Sequence, residues 1–205
     1  MAVGGLDAEL RAAGAKLIGG VDEVGRGAFA GPLVAAAVIL PEDDGLEGLD
    51  DSKRVPVPER ERLAALIAER AVAMVVIEVA PSEIDARGLH RSNLWALHEA
   101  AVRLDPVPDH LVVDGYQIAP TPFATTVIPE ADRASRVVAA ASIVAKVHRD
   151  EIMRQLDAEF PGYGLADNKG YGTSEHRAVI DSLGPCPAHR LTFGAVGQPS
   201  LWSTA

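Results

Sequence analysis

Leu17-Ile18-Gly19-Gly20-Val21-Asp22-Glu23-Val24-Gly25-Arg26-Gly27, followed at a short interval by Pro32-Leu33-Val34-Ala35-Ala36-Ala37-Val38-Ile39-Leu40, decides the architecture of this chain. Residues 17–22 and 32–40 are apolar runs of strand length, and the segment between them is rich in glycine, so they read as two strands joined by a turn. Asp22 and Glu23 end the first strand. Carboxylates at the end of a buried strand are costly to desolvate unless a cation or hydrogen-bond donors meet them. The Gly25-Arg26-Gly27 turn offers bare backbone N–H groups and a forked cation suited to phosphate. Acids that hold a metal, next to amides that meet a nucleic-acid backbone, imply metal-dependent chemistry on phosphodiesters.

The rest of the chain extends the pattern. Pro58 opens a helix carrying Leu63, Leu66, Ile67 and Arg70, and residues 73–79 are a β-branched third strand. Residues 81–86 start a short helix, and residues 93–104 form a second, with Leu94, Leu97, Ala101 and Leu104 on one stripe. Leu111-Val112-Val113-Asp114-Gly115 is a short buried strand ending in an acid, and residues 123–128 are a fifth strand. A long helix over 134–160 stops at Pro161-Gly162, and a last helix over 174–183 has Ser174 as its expected N-cap. This order predicts an α/β layer fold in which an antiparallel hairpin feeds a partly parallel sheet. Ligands of such sheets gather at the carboxyl ends of strands, where Asp22 and Asp114 both fall.

Composition narrows the function. With 205 residues the chain is expected to form one domain, residues 1–205; 48% hydrophobic and 23% charged residues are ordinary for a soluble protein. The lone Cys186, between Pro185 and Pro187, excludes an internal disulfide and reads as a small packing residue. No apolar run approaches the ~20 residues of a membrane helix. Asp7, Glu9, Arg11 and Lys16 leave no apolar core for a signal peptide, so a cytoplasmic protein without membrane contact, acting as a monomer, is expected. A net charge of −10 argues against a coating or architectural role on nucleic acid but leaves room for a local cleft. Bound divalent ions would reverse the sign around catalytic acids.

Taken singly, Asp114 also reads as a turn former before Gly115, and Asp132 as the N-cap of the long helix. Asp22 and Glu23 point to opposite faces of a regular strand, so a shared site needs a bend at Gly25 or the Glu23 backbone carbonyl. Oxygen-only ligands select Mg²⁺ or Mn²⁺. His90, His98, His110, His148, His176 and His189 have no zinc spacing and read as surface or supporting polar residues.

Asp22-Glu23-Val24-Gly25-Arg26-Gly27 followed by Ala30-Gly31-Pro32 resembles the opening signature of bacterial type 2 ribonucleases H, the ribonuclease HII family. The likeness runs in order through Asp51-Ser52-Lys53, Val113-Asp114-Gly115, residues 140–150 (AASIVAKVHRD), Lys169-Gly170-Tyr171-Gly172-Thr173 and His189-Arg190-Leu191-Thr192-Phe193. The resemblance implies an RNase H-like fold, with a mixed five-stranded sheet flanked by helices over about residues 17–160 and extra C-terminal helices over 161–205. It implies an endonuclease that cuts the RNA strand of RNA–DNA hybrids and incises duplex DNA 5′ to a single embedded ribonucleotide, with two Mg²⁺ or Mn²⁺ ions. Asp22, Glu23, Asp114 and Asp132 would be the metal-binding acids. Gly25, Arg26 and Gly27 would read the ribose 2′-OH, and Tyr171 would stack on the sugar at the RNA-to-DNA junction. Two departures stand out. Glu130-Ala131 replaces the usual Lys-Gly or Gly-Gly before Asp132, adding a negative charge against phosphate, and residues 54–58 depart from the usual Lys-Leu-Ser pattern.

Lys53, Lys146 and Lys169 are candidate phosphate contacts, and Ser142, Lys146 and Asp150 share one helix face, where Lys146 and Asp150 equally suit an exposed ion pair. Three other functions compete. A hybrid-binding module without cleavage would be expected to lack an acid. A phosphatase on small substrates would leave the Gly-Arg-Gly turn and Tyr171 without a partner. A type 1 ribonuclease H would need a run of ribonucleotides.

Overall fold

In the computed structural model, which describes residues 3–50, 52–194 and 196, the two leading apolar runs form an antiparallel hairpin. Asp51 and the tail with Gln198 and Trp202 lie outside the described residues. A short helix α1 (Gly5–Ala12) precedes β1 (Ile18–Val24) and β2 (Leu33–Ile39); α2 (Val57–Arg70) and β3 (Ala73–Val79) follow. Next come α3 (Pro81–Arg87), α4 (Leu89–Val102), β4 (His110–Asp114) and β5 (Ala124–Ile128). A single 3₁₀ turn (Ala131–Arg133) leads into the long helix α5 (Arg136–Glu159), then α6 (Leu165–Asn168) and α7 (Ser174–Leu183). The sheet order is β3-β2-β1-β4-β5, antiparallel from β3 to β1 and parallel from β1 to β5. This is the expected mixed five-stranded sheet with helices on both faces.

The sequence of β2 explains the layering. Its seven residues are all buried, with Val34, Ala36 and Val38 facing one core and Leu33, Ala35, Ala37 and Ile39 the other. Helices α2 and α5 cover the first face and α4 the second. Three consecutive alanines bring helices close on both sides. β1 takes this further at Gly20, where an added Cβ would lie 2.3 Å from the carbonyl carbon of Val137. The long helix therefore crosses β1 at backbone contact.

Some ends differ from expectation. α5 starts at Arg136, its N-cap is Ser135, and Asp132 sits in the preceding 3₁₀ turn, so Asp132 is not the cap. Asp7 of α1 supports that end by accepting from Ser135 Oγ and from the Arg136 backbone N–H, both at 2.6 Å. An acid at a helix N-terminus also favours the helix dipole. Thr173, not Ser174, caps α7, accepting from the His176 N–H at 3.2 Å. α4 begins at Leu89, ahead of its apolar stripe, because Gly88 at φ 84° ends α3. Among the described residues no helix is long and apolar enough to cross a membrane.

Gly20→Ala is expected to force α5 off the sheet and to destabilise the fold by roughly 3 kcal/mol. Urea unfolding checks this; an unchanged midpoint would show that the helix can yield.

Candidate active site

Val21 aligns with Val113 in the parallel β1–β4 pair, so Asp22 and Asp114, each one residue further on, leave the sheet side by side. Alternation puts Asp22, opposite Ala36, on the α5 face and Glu23, opposite Ala35, on the α4 face. β1 remains a regular strand through Val24, so the turn at Gly25 begins after both acids. Even so, both acids of β1 sense Asp114. Burial, then the charges of Asp114 and Glu23, holds the Asp22 carboxyl well above the ordinary range. Burial and Asp114 push Glu23 up to about 7, against the opposing pull of Arg26 and Lys53. Glu23 Oε2 is buried and has no hydrogen-bond partner. The 3₁₀ turn carrying Asp132, itself buried, is tied to the same place: the Ala131 N–H donates to Asp114 Oδ1 at 2.7 Å.

Among the described residues no three acid, histidine or cysteine side chains already converge on one metal position. The donor chemistry nevertheless fits a hard cation: oxygen-only, crowded, raised in pKa, and including an unsatisfied buried carboxylate oxygen.

Around the acids, Ser142 of α5 lies near enough to Asp22 to oppose the rise of its pKa, and its hydroxyl donates to Ser52 Oγ at 3.0 Å. Ser52 docks the loop that carries the exposed Lys53, and the buried Arg60 holds the loop from behind by donating to the Ser52 and Val55 carbonyls. Sequence reading gave Ser52 no role, because a hydroxyl's partners cannot be read from its spacing. Lys146 is not an exposed partner of Asp150. The half-buried pair closes at 2.6 Å, and Asp150 also lies 3.5 Å from Arg60. Lys169, in the left-handed region at φ 53°, gives its carbonyl to Arg149. Glu130 pairs with Arg133 at 2.7 Å, which offsets its extra charge.

Two arginines that the motifs contain without explaining shape the turn. Arg149, fully buried, donates to the carbonyls of Pro32, Ala30 and Lys169 at 2.9–3.0 Å. Arg190, also fully buried, donates twice to Gly31 O and once to Arg26 O. Both arginines have lowered pKa values, chiefly from burial, Arg190 to about 9.

The two glycines of the turn differ. Gly25 has φ 84°, and a Cβ there would sit 2.1 Å from Arg149 Nε. At Gly27 an added Cβ meets nothing within 4 Å, so the chain's own packing does not require glycine there.

Tyr171 is partly exposed, with the Arg149 guanidinium carbon 5.6 Å from its ring centre. Two buried histidines hold its backbone. The Cys186 N–H points at His189 Nδ1, His189 Nε2 meets His176 Nε2 at 3.1 Å, and His176 Nδ1 meets Tyr171 O at 2.9 Å. One tautomer assignment satisfies the chain: His189 accepts at Nδ1 and donates from Nε2, and His176 accepts at Nε2 and donates to Tyr171 from Nδ1. Burial and His176 push His189 down to about 4, keeping it neutral as this assignment needs.

Comparison with known proteins agrees with this geometry. The Ribonuclease HII family model matches residues 19–196. The chain belongs to the ribonuclease HII family. It is therefore a metal-dependent endoribonuclease of the ribonuclease H type. It is 47% identical over 194 residues to the ribonuclease HII of Geobacter sulfurreducens, covering 94% of this chain and 89% of that protein. The structure of ribonuclease H2 from Pyrococcus horikoshii superposes with a TM-score of 0.75 at 28% identity, covering 88% of this chain and 95% of that one. Bst-RNase HIII, solved in complex with Mn²⁺, shares the fold at a TM-score of 0.67 and 21% identity, covering 88% of this chain and 68% of that one.

Gly25→Ala is expected to cost about 2 kcal/mol or more, combining left-handed strain with displacement of Arg149. Gly27→Ala should unfold like wild type yet lose roughly tenfold or more in cleavage. Comparing urea midpoints with cleavage rates separates the two roles, and equal effects at both positions would refute the distinction. Glu23 gives a pH prediction. Its folded value of about 7 lies above the ordinary 4.5, so in the metal-free protein its contribution to stability is complete below pH 4.5 and is lost as pH rises through about 7. Glu23→Gln should flatten that slope in metal-free urea unfolding; identical slopes would remove Glu23 as its source.

Proposed function

We propose that the chain hydrolyses the RNA strand of RNA–DNA hybrids and incises duplex DNA on the 5′ side of a single embedded ribonucleotide. The observation that carries this reading is the unbalanced carboxylate charge where β1 and β4 end, beside a Gly-Arg-Gly turn whose last glycine faces open space. In the proposed roles, Asp22, Glu23, Asp114 and Asp132 hold two Mg²⁺ or Mn²⁺ ions, with Asp22 central because its strand lies mid-sheet beside Asp114. The bound ions would activate the attacking water and stabilise the leaving 3′-oxygen. Water adds to phosphorus, the P–O3′ bond breaks, and the 3′-oxygen takes a proton, leaving a 3′-hydroxyl and a 5′-phosphate.

The remaining residues sort the substrate. A ribose 2′-OH distinguishes RNA from DNA, and backbone groups of the turn around Gly27 can approach it closely because no Cβ intervenes. Gly25 shapes that approach from inside the fold, and Arg26 stands beside the acids with its charge available to a phosphate. Tyr171, on a glycine-flanked turn fixed by the histidine pair, offers a ring face for stacking on a sugar. Lys53, near enough to act on Glu23, is the lysine best placed for the scissile region. Lys146 is committed to Asp150 and contributes to α5 more than to substrate.

A DNA duplex with one ribonucleotide, incubated with Mg²⁺ or Mn²⁺ beside a hybrid with a long RNA run, tests the proposal. Incision 5′ to the single ribonucleotide, abolished in a folded Asp22→Asn variant, is expected. Cutting of the long hybrid alone would indicate type 1 specificity, and wild-type turnover by Asp22→Asn would overturn the roles given to the acids.

A further inference from the structure

Glu23 and Arg26 are three residues apart, and the guanidinium is near enough to act on the carboxylate's charge. Such a pair would ordinarily close a salt bridge. Here Glu23 Oε2 and Arg26 Nε are both buried without a hydrogen-bond partner. The guanidinium goes instead to Tyr116, donating from Nη1 to the phenol oxygen while its central carbon lies 4.7 Å from the ring centre. Tyr116 is in turn fixed on two sides. It follows Asp114 by two residues, its N–H donating to Asp114 O at 2.7 Å while Gly115 N–H donates to Ile128 O. The ring of His90, in the first turn of α4, packs edge-on against it at 6.3 Å. The tyrosine thus straps the exit of β1 to the exit of β4 through the arginine.

We propose that Tyr116 is a positioning residue that parks the Arg26 guanidinium away from Glu23 and keeps the Glu23 carboxylate available to a divalent cation. The inference rests on the proposed role of Glu23 as a metal ligand. An arginine free to swing onto Glu23 would have to be displaced before a cation could bind, because both compete for one carboxylate. Phenol oxygen and ring face together offer the guanidinium an alternative partner that carries no negative charge, and so does not itself attract the metal.

Mn²⁺ binding to the full chain without nucleic acid, followed by electron paramagnetic resonance or calorimetry, tests this directly. Tyr116→Ala should weaken Mn²⁺ binding by roughly fivefold, the weight of one partly exposed ion pair, and Tyr116→Phe, which keeps the ring, by less. In Tyr116→Ala/Arg26→Ala the affinity should return to that of Arg26→Ala alone, since no guanidinium is left to compete. Unchanged binding in both Tyr116 variants would overturn the proposal. A loss that persists without Arg26 would also overturn it, as it would mark a general structural role. Glu23→Gln serves as the control: if it binds Mn²⁺ as wild type does, the metal role of Glu23 fails, and the strap loses its purpose with it.

Discussion

Two fully buried guanidinium groups whose hydrogen-bond partners are backbone carbonyls organise this molecule. Buried charges are normally paired, because removing them from water costs several kcal/mol each. Arg149 and Arg190 take carbonyls instead, and those carbonyls belong to the stretch from Arg26 to Pro32 and to Lys169. The segment that joins β1 to β2 cannot form ladder bonds as it turns, so its carbonyls need donors from elsewhere. α5 supplies one arginine and the C-terminal segment the other. The same segment is flanked by Gly170 O, which accepts from the Phe29 and Ala30 N–H groups, and by Ala188 and Arg190, whose backbones bond Gly31 and Phe29. The hairpin turn is therefore made by the long helix and the tail as much as by its own glycines, and the C-terminal residues are part of the site's construction.

With the turn fixed, charge becomes the second constraint. Asp114 raises the pKa of both Asp22 and Glu23 where β1 and β4 end, and Arg26 and Lys53 ease this at Glu23 without cancelling it. Lys53 is exposed, Arg26 is held by Tyr116, and Ser142 contributes only a hydroxyl. The crowding of Asp22 and Glu23 is thus offset only in part by the protein's own groups. A net charge of −10 is unfavourable for approach to nucleic acid, and divalent ions at this edge of the sheet would reverse the local field where it matters.

Most of the architecture was legible because it rests on local pattern. The strand over 73–79 and the helix over 174–183 are set by a β-branched run and an amphipathic stripe, and they fall where expected. The acids were legible as strand ends, and the structure brings Asp22, Glu23 and Asp114 into mutual range. Contacts far apart in sequence were not legible. Asp7 bonds Ser135 across 128 residues, and Arg190 bonds Gly31 across 159, and no window of sequence contains both partners. Caps failed for a related reason. Asp132 and Ser174 are both good N-cap types, but Ser135, just after the 3₁₀ turn, and the adjacent Thr173 take the role. Tyr116 was invisible because an isolated tyrosine after a strand gives no sign of what will lie against its ring.

The contrast between Gly25 and Gly27 shows how the scaffold divides its work. A glycine can be required from within, by φ or by a neighbour, or from outside, by whatever must approach the backbone. Gly25 is required from within on both counts, by its φ of 84° and by Arg149. Gly27 is required by neither, and the role proposed for it lies on the ligand side of the turn. Arg26, between them, is held by Tyr116 through its side chain and by Arg190 through its carbonyl. The chain thus fixes the arginine and the first glycine and leaves the second open. For the proposed reading of a ribose hydroxyl, that combination is what the physics asks for: rigid placement on one side, so that a missing contact is not repaired by motion, and no side chain on the other.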